Sequence, residues 1–285
     1  MLIKISKFQT FFNFNFEHLC LFFIYKKRQL RYITKMKEII HSYSNLGLHR
    51  TIGEMIKKHS ENKEDIRSIA INMVDWDGVK TVLDLGCGYG WFEDGLKGEF
   101  DIVLGIDCLD ENESSFLRSA RKISKTALFQ KRVLPGPVDM PDNSFDLVVS
   151  AYSLYFFPEE VEEIRRLLSP SGVFLVITHS ESMLQEGEKY FDFTNLRRVI
   201  RGFSAENGEE ALRAHFSDVR CVDYRNTIVF GRYEKKDLAG YIDFKREFIS
   251  RDADPAKVML TMLDELERKG TMRFNKDDRI FLARK

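Results

Sequence analysis

Several features are scarce in this chain of 285 residues, and each scarcity excludes something. Only four cysteines occur, Cys20, Cys87, Cys108 and Cys221, with no C-x-x-C pair and no metal-ligand spacing. A zinc site, a redox dithiol and a disulfide framework are therefore not expected, and the simplest setting is a reduced, cytoplasmic one. Net formal charge is also absent: 44 Lys+Arg balance 44 Asp+Glu. The balance hides an asymmetry, because residues 1–35 hold seven basic residues and one acid, leaving 37 basic and 43 acidic residues in the remainder. A mildly acidic body is a poor non-specific partner for phosphate backbones, so nucleic acid is not favoured. No internal repeat and no low-complexity linker interrupts the chain.

Long hydrophobic runs are missing as well. A membrane span needs roughly 20 mostly apolar residues. The best run, Phe8 to Tyr25, is broken by Gln9, Asn13, Asn15, Glu17 and His18. No small-residue cleavage site follows it, as a signal peptide would require. Residues 1–35 are expected to be an extension outside the fold, with Met36 as the true start; a membrane contact through them is the minor alternative. Residues 36–285 are expected to form a single domain, with N-terminal helices over 36–75, a core over 76–180, and a lid insertion with the last two strands over 181–285. The sequence carries no signal of oligomeric state.

What is present begins near Asn72 as alternating strand and helix. "VKTVLDL" is a short β-branched run of the kind buried in a sheet. "WFEDGLKG" predicts a helical turn or two closed by Gly98. "DIVLGID" predicts a second strand ending in an acid, and "ENESSFLRSARKISKTA" a helix with polar caps. "SFDLVVSAYS" predicts a further strand. Pro158, Glu159 and Glu160 suit the start of the helix "EEVEEIRRLL", which should stop at "SPSG" before the strand "GVFLVITHS". Such alternation predicts an α/β fold, a mostly parallel sheet with helices on both faces, whose ligands bind beyond the carboxyl ends of the strands.

The densest signal is "VLDLGCGYGW", Val82 to Trp91. Gly86, Gly88 and Gly90 stand at alternate positions between a strand and a helix, after Asp84. Glycine permits positive φ and close approach of backbone to a ligand. Amides at the following helix start suit a carboxylate or phosphate. The dinucleotide fingerprint is G-x-G-x-x-G; this loop is G-x-G-x-G. Asp84 would repel a pyrophosphate but suits a ligand carrying an ammonium and a sulfonium. Asp107 ends the next strand, where an acid can accept from both hydroxyls of a ribose.

Together "VLDLGCGYGWF", "VLGIDC", "MPDNSFDLVVSAYSLYFF" and "LLSPSGVFLVITH" resemble successive motifs of the class I S-adenosylmethionine-dependent methyltransferases, in the broad small-molecule subgroup related to ubiquinone and menaquinone biosynthesis. The resemblance is strong over about Val79 to Glu181. It implies a Rossmann-like, seven-stranded, mostly parallel sheet with an antiparallel last strand and a helical lid. "CVDYRNTIVF" and "DDRIFLARK" would be the final two strands. The implied cofactor is S-adenosyl-L-methionine: Asp84 at its amino group, the backbone of Gly86, Cys87, Gly88 and Gly90 along its methionine part, Asp107 at the ribose, Cys108 beside adenine, and Ser150 and Ala151 near the sulfonium. Relatives usually have an acid–small pair ahead of "PDNSFD". Here the loop reads "RVLPGPVDMPDNSF", reshaped by Pro135 and Pro137, and either Asp139 substitutes or adenine is read by backbone alone.

The chemistry belongs mainly to the cofactor, so proximity and orientation would do most of the work. If the acceptor must lose a proton, His179, Tyr152 and Tyr155 are the candidates at strand ends, with ordinary packing as the alternative for each. The implied partner is a small-molecule acceptor. Tyr190, Phe191, Phe193 and the Arg197–Arg198 pair either line its pocket or form lid core with solvated arginines. By analogy, Tyr43 would close over the cofactor. No Pro-Pro and no Pro-Cys occurs, which weakens DNA amino- and cytosine-C5-methylating classes. An RNA or protein methyltransferase and a non-catalytic cofactor-binding protein remain as alternatives.

Overall fold

The β-branched runs around the glycine loop become central parallel strands. In the computed structural model the described residues are Ile39, Tyr43, residues 45–249 and residues 254–285; the expectations for residues 1–35 lie outside them. Residues 1–42 and 43–285 separate as two compact units, and all that follows concerns the second.

Two helices open this unit, α1 (Leu46–His59) and α2 (Ile66–Met73). Asn45 caps the first by accepting from the amide of Leu48, and Asp65 caps the second by accepting from that of Arg67, which satisfies otherwise orphaned N–H groups. The sheet strands are β1 (Thr81–Leu85), β2 (Phe100–Asp107), β3 (Ser124–Lys131), β4 (Phe145–Ala151), β5 (Leu168–His179), β6 (Asp218–Tyr224) and β9 (Asp278–Arg284). They lie in the order β3-β2-β1-β4-β5-β9-β6. β9 is antiparallel to both β5 and β6, and the other pairs are parallel. The fold is thus the seven-stranded, mostly parallel Rossmann-like sheet that the motifs imply.

Neighbouring residues of one strand feed opposite cores. Leu83 and Leu85 of β1 pack on one face with Val148, Phe174 and Phe281; Val82 packs on the other with Val103, Phe116 and Leu175. Both faces are therefore covered, as a parallel sheet requires. The covering helices include α3 (Glu113–Ala120), α4 (Val161–Leu167), α5 (Thr194–Ile200) and α6 (Gly208–Arg213). A separate hairpin pairs β7 (Thr227–Gly231) with β8 (Thr271–Asn275); between them run α7 (Lys235–Phe244) and α8 (Pro255–Lys269). Asp254 caps α8, with Pro255 in the first turn and Gly270 closing it at φ 80°, the usual asymmetry of proline in and glycine out.

Three expectations need correction. The helix read through "ENESSFLRSARKISKTA" stops at Ala120, and Ser124–Lys131 is the edge strand β3. Its half-exposed residues gave no buried-strand signature. The run "CVDYRNTIVF" is not one strand; it divides into β6 and β7, which belong to different sheets. And "SPSG" is the first part of β5 rather than a stop before it.

The glycine loop can be tested by substitution. An added Cβ at Gly86 (φ +73°) would sit 2.4 Å from Cβ of Ser153, whereas at Gly88 (φ +52°) it would meet nothing within 4 Å. Gly86→Ala is expected to lower the unfolding free energy by roughly 2–4 kcal/mol and Gly88→Ala by about 1 kcal/mol. Urea denaturation checks this; equal losses would contradict the geometry.

Candidate active site

The three glycines turn out to have three different jobs. All have positive φ. Gly86 presses against Ser153, Gly90 packs against the backbone of Phe116 and the side chain of Ser119, and Gly88 alone faces open space. Cys87, read as a cofactor contact, is 5% exposed. Its sulfur would lie 2.7 Å from a Cβ added to Gly105, and burial pushes its thiol well above the ordinary range. The Cys87 side chain is core; only its backbone is in the loop. Cys108 is half-buried, its thiol raised to about 12 by burial and then by Asp107.

Asp107 holds the loop in place. Its Oδ2 accepts from the amide of Gly88 at 2.9 Å, and its Oδ1 accepts from the amide of Leu109 at 2.9 Å and from Asn112 Nδ2 at 3.1 Å. Burial raises its pKa, and these N–H donors oppose the rise. A carboxylate offers about four lone-pair sites, so the ends of β1 and β2 are tied through one side chain that keeps capacity for a further donor.

Asp84 lies 2% exposed at the end of β1, and Glu93, on the turn after the loop, is 1% exposed. Asp84 Oδ1 and both Glu93 carboxyl oxygens are buried without a hydrogen-bond donor. Burial, then the Glu93 charge, push Asp84 well above the carboxylate range; burial raises Glu93 to about 7. Two carboxyls buried together in a dry site disfavour ionisation of both. An ammonium could supply the missing donors. Asp107 can take a hydroxyl, and Gly88 leaves room. These residues fit S-adenosylmethionine, with Asp84 and Glu93 at its amino group and Asp107 at its ribose.

The strand-end candidates are brought together. His179 stacks on Tyr152 at 4.7 Å and on Tyr155 at 5.7 Å between ring centroids. His179 Nδ1 lies 2.7 Å from Asp278 Oδ1, and the Tyr152 hydroxyl donates to Asp278 Oδ2 at 2.8 Å. Lys276 Nζ donates to both oxygens of Asp278, at 2.9 and 2.6 Å, and lies 5.0 Å from the Tyr152 ring centre. Burial and then Lys276 lower His179 to about 4; burial and then Asp278 raise Tyr152 well above its ordinary value. Burial would raise Asp278, but Lys276 and His179 hold it below the ordinary range. Tyr43 packs edge-on against His49, Phe156, Phe244 and Phe248.

Other predicted residues sit differently. Ser150 is fully buried; its hydroxyl is 2.6 Å from that of Ser153, which donates to the Leu85 carbonyl. That side chain braces the loop after β4, beside the half-buried Ala151. Asp139 is exposed, while the amides of Gly136 and Val138 in the same loop donate to Glu160 and Glu163. Phe191 and Phe193 are core, which agrees with the second reading of that segment, but only Arg198 is exposed; Arg197 is largely buried, paired with Glu188 and donating to the Met183 carbonyl. Lys276, Asp278, Glu93 and Ser153 were missed. The signals were an acid in the apolar turn "GWFEDGL" and a charged "NKDD" between two strands.

The sheet has the strand order of the class I methyltransferase fold, and the residues described above gather at the carboxyl ends of β1, β2, β4 and β5. Residues 83–176 match the Methyltransferase domain family. That match spans about a third of the chain and marks a methyltransferase domain within it, whose cofactor is S-adenosylmethionine. The chain is 27% identical over 185 residues to phosphoethanolamine N-methyltransferase 3 of Arabidopsis thaliana, covering 63% of this chain and 37% of that protein. It is 36% identical over 98 residues to the mitochondrial arginine-hydroxylase NDUFAF5 of Rattus norvegicus, covering 33% and 27%. The chain thus spans well under half the length of either relative. A solved structure from Anabaena variabilis, described as a methyltransferase of an antibiotic biosynthesis pathway, shares the fold, with TM-score 0.51, 13% identity, and coverage of 76% of this chain and 96% of that one. Among the described residues no helix is long and apolar enough to cross a membrane.

Two measurements check the carboxylates. Glu93 is raised from 4.5 to about 7 in the folded state, so its contribution is complete below the unfolded value and is lost as pH rises through 7. Between pH 5 and 8 the Glu93→Gln variant should lose less stability than the parent, by on the order of 3 kcal/mol; parallel pH profiles in chemical denaturation would contradict this. Asp107→Asn sets an amide NH₂ against the N–H groups of the loop. It should weaken S-adenosylhomocysteine binding about 100-fold by calorimetry, roughly 2.7 kcal/mol, and unchanged affinity would remove Asp107 from the site.

Proposed function

We propose that this chain transfers the methyl group of S-adenosylmethionine to a small-molecule acceptor, mainly by proximity and orientation, with His179 receiving the proton that the acceptor releases. The observation that carries this reading is the burial of the His179–Tyr152–Tyr155 stack behind aromatic rings: Tyr155 is 6% exposed, and Phe156, Tyr43, Phe244 and Phe248 extend the contact to the lid. A reacting centre so enclosed suits an acceptor that can be surrounded, rather than a polymer lying in a groove. The similarity to a phosphoethanolamine N-methyltransferase points the same way.

Bound S-adenosylmethionine supplies an already activated methyl group. The chain must then hold an acceptor atom in line with it and exclude water, which can contribute up to about 7–11 kcal/mol. Asp278 orients His179 by accepting at Nδ1, so that Nε2 carries the lone pair. Burial and the neighbouring Lys276 keep the imidazole neutral at physiological pH. In this reading Tyr152 and Tyr155 are walls and positioning residues, and Tyr152 also shares the Asp278 carboxylate.

A labelled-methyl assay across small amines, phenols and carbon acids tests the reading. Transfer to one such class is expected. His179→Ala should lower kcat by roughly 10²–10⁴-fold with S-adenosylmethionine affinity unchanged. Transfer confined to RNA or protein would contradict the small-molecule acceptor, and an unchanged kcat would remove His179.

A further inference from the structure

Near the lid helix two buried lysines stand against one buried carboxylate, Asp278. Lys245 follows α7 and is 5% exposed; Lys276 is 4% exposed. Lys276 is committed to Asp278. Lys245 has no carboxylate partner among the described residues, and its ammonium lies 5.3 Å from the ring centres of both Phe244 and Phe248 and 6.0 Å from that of Tyr241. Burial, then Lys276, lower it to about 7. Tyr241, one turn earlier, is fully buried, and its hydroxyl has no hydrogen-bond partner.

An unpaired buried lysine and an unpaired buried phenol are both costly. With Nζ of Lys245 6.0 Å from the Tyr241 ring centre, both are donors near one place and match a single acceptor with several lone pairs. Position separates this end from the cofactor's own charges. The carboxylates for the cofactor amino group stand at the glycine loop, with Trp91 next to it. Trp91 meets Tyr152 at 6.0 Å, and Lys276 lies over the same Tyr152 ring.

We propose that Lys245 and Tyr241, with Lys276 nearby, form a subsite for a compact oxyanion, a phosphate or a carboxylate, on the methyl acceptor. This rests on the methyl-transfer reading above. The cleft is then bipolar. Carboxylates receive the cationic cofactor at one end, and ammonium and phenol donors anchor the anionic end of the acceptor at the other, which leaves the nucleophile between them near His179.

The test uses the full chain saturated with S-adenosylhomocysteine, titrated at constant ionic strength with sodium phosphate, sodium acetate and neutral glycerol. One of the two anions should bind, glycerol should not, and the tighter anion identifies the acceptor class. Lys245→Met should weaken that binding by about tenfold or more, and Tyr241→Phe, which keeps the ring, by a smaller factor, with S-adenosylhomocysteine affinity unchanged in both. If Lys245→Met fails to fold, Tyr241→Phe decides alone. Absence of anion binding to the parent, anion binding equal in parent and variant, or a matching loss of S-adenosylhomocysteine affinity would each overturn the proposal; the last would give the donors to the cofactor's own carboxylate. Failure of the parent to bind S-adenosylhomocysteine would instead overturn the methyl-transfer reading beneath it.

Discussion

One buried carboxylate organises the cluster of side chains at the carboxyl ends of β4 and β5. Asp278 is the first residue of β9 and 4% exposed, and it accepts from Lys276, His179 and Tyr152 at once. Those three come from the β8–β9 connection, the end of β5 and the loop after β4. The carboxylate can sit there because β9 is inserted antiparallel between β5 and β6, with Asp278 in register with His179 on one side and Tyr224 on the other. A charge so deep is tolerable only with donors on both oxygens. The antiparallel strand is the element that delivers the buried ion pair to this cluster.

The other end of the cleft follows opposite electrostatics. Asp84, Glu93 and Asp107 concentrate three buried acids around the glycine loop. Asp107 is stabilised by N–H groups from the loop itself, while Asp84 and Glu93 share too few donors. Such under-satisfied groups are expensive in folding and are expected where a ligand completes them. A positively charged cofactor turns that cost into affinity. The acids at the loop and the lysines at the lid are two halves of one charge pattern, separated by the rings of Trp91, Tyr152 and His179.

Local patterns in the sequence carried the sheet's centre and the glycine loop, because buried parallel strands and strand–loop–helix turns have short-range signatures. β3 escaped because it is a half-exposed edge strand that directly follows a helix. The separation of β6 from β7 escaped because one β-branched run serves two sheets. The Asp278–His179 contact spans 99 positions in sequence, and no spacing rule announces it. No sequence motif marks Lys245 or Tyr241; only packing reveals that both are buried. Cys87 and Ser150 occupy the expected positions in the motifs, yet their side chains serve the core and a loop brace. Position in a motif places the backbone, and side-chain direction depends on the neighbours that it meets.

The most direct measurement is a crystal structure of the chain with S-adenosylhomocysteine and a small phosphate- or carboxylate-bearing amine. The account predicts the nucleoside hydroxyls on Asp107, the amino group of the bound nucleoside on Asp84 and Glu93, and its sulfur facing the His179 stack, with the anion of the amine on Lys245 and Tyr241. A nucleoside bound away from Asp107 and Asp84, or an anion held at the glycine loop with Lys245 untouched, would contradict it.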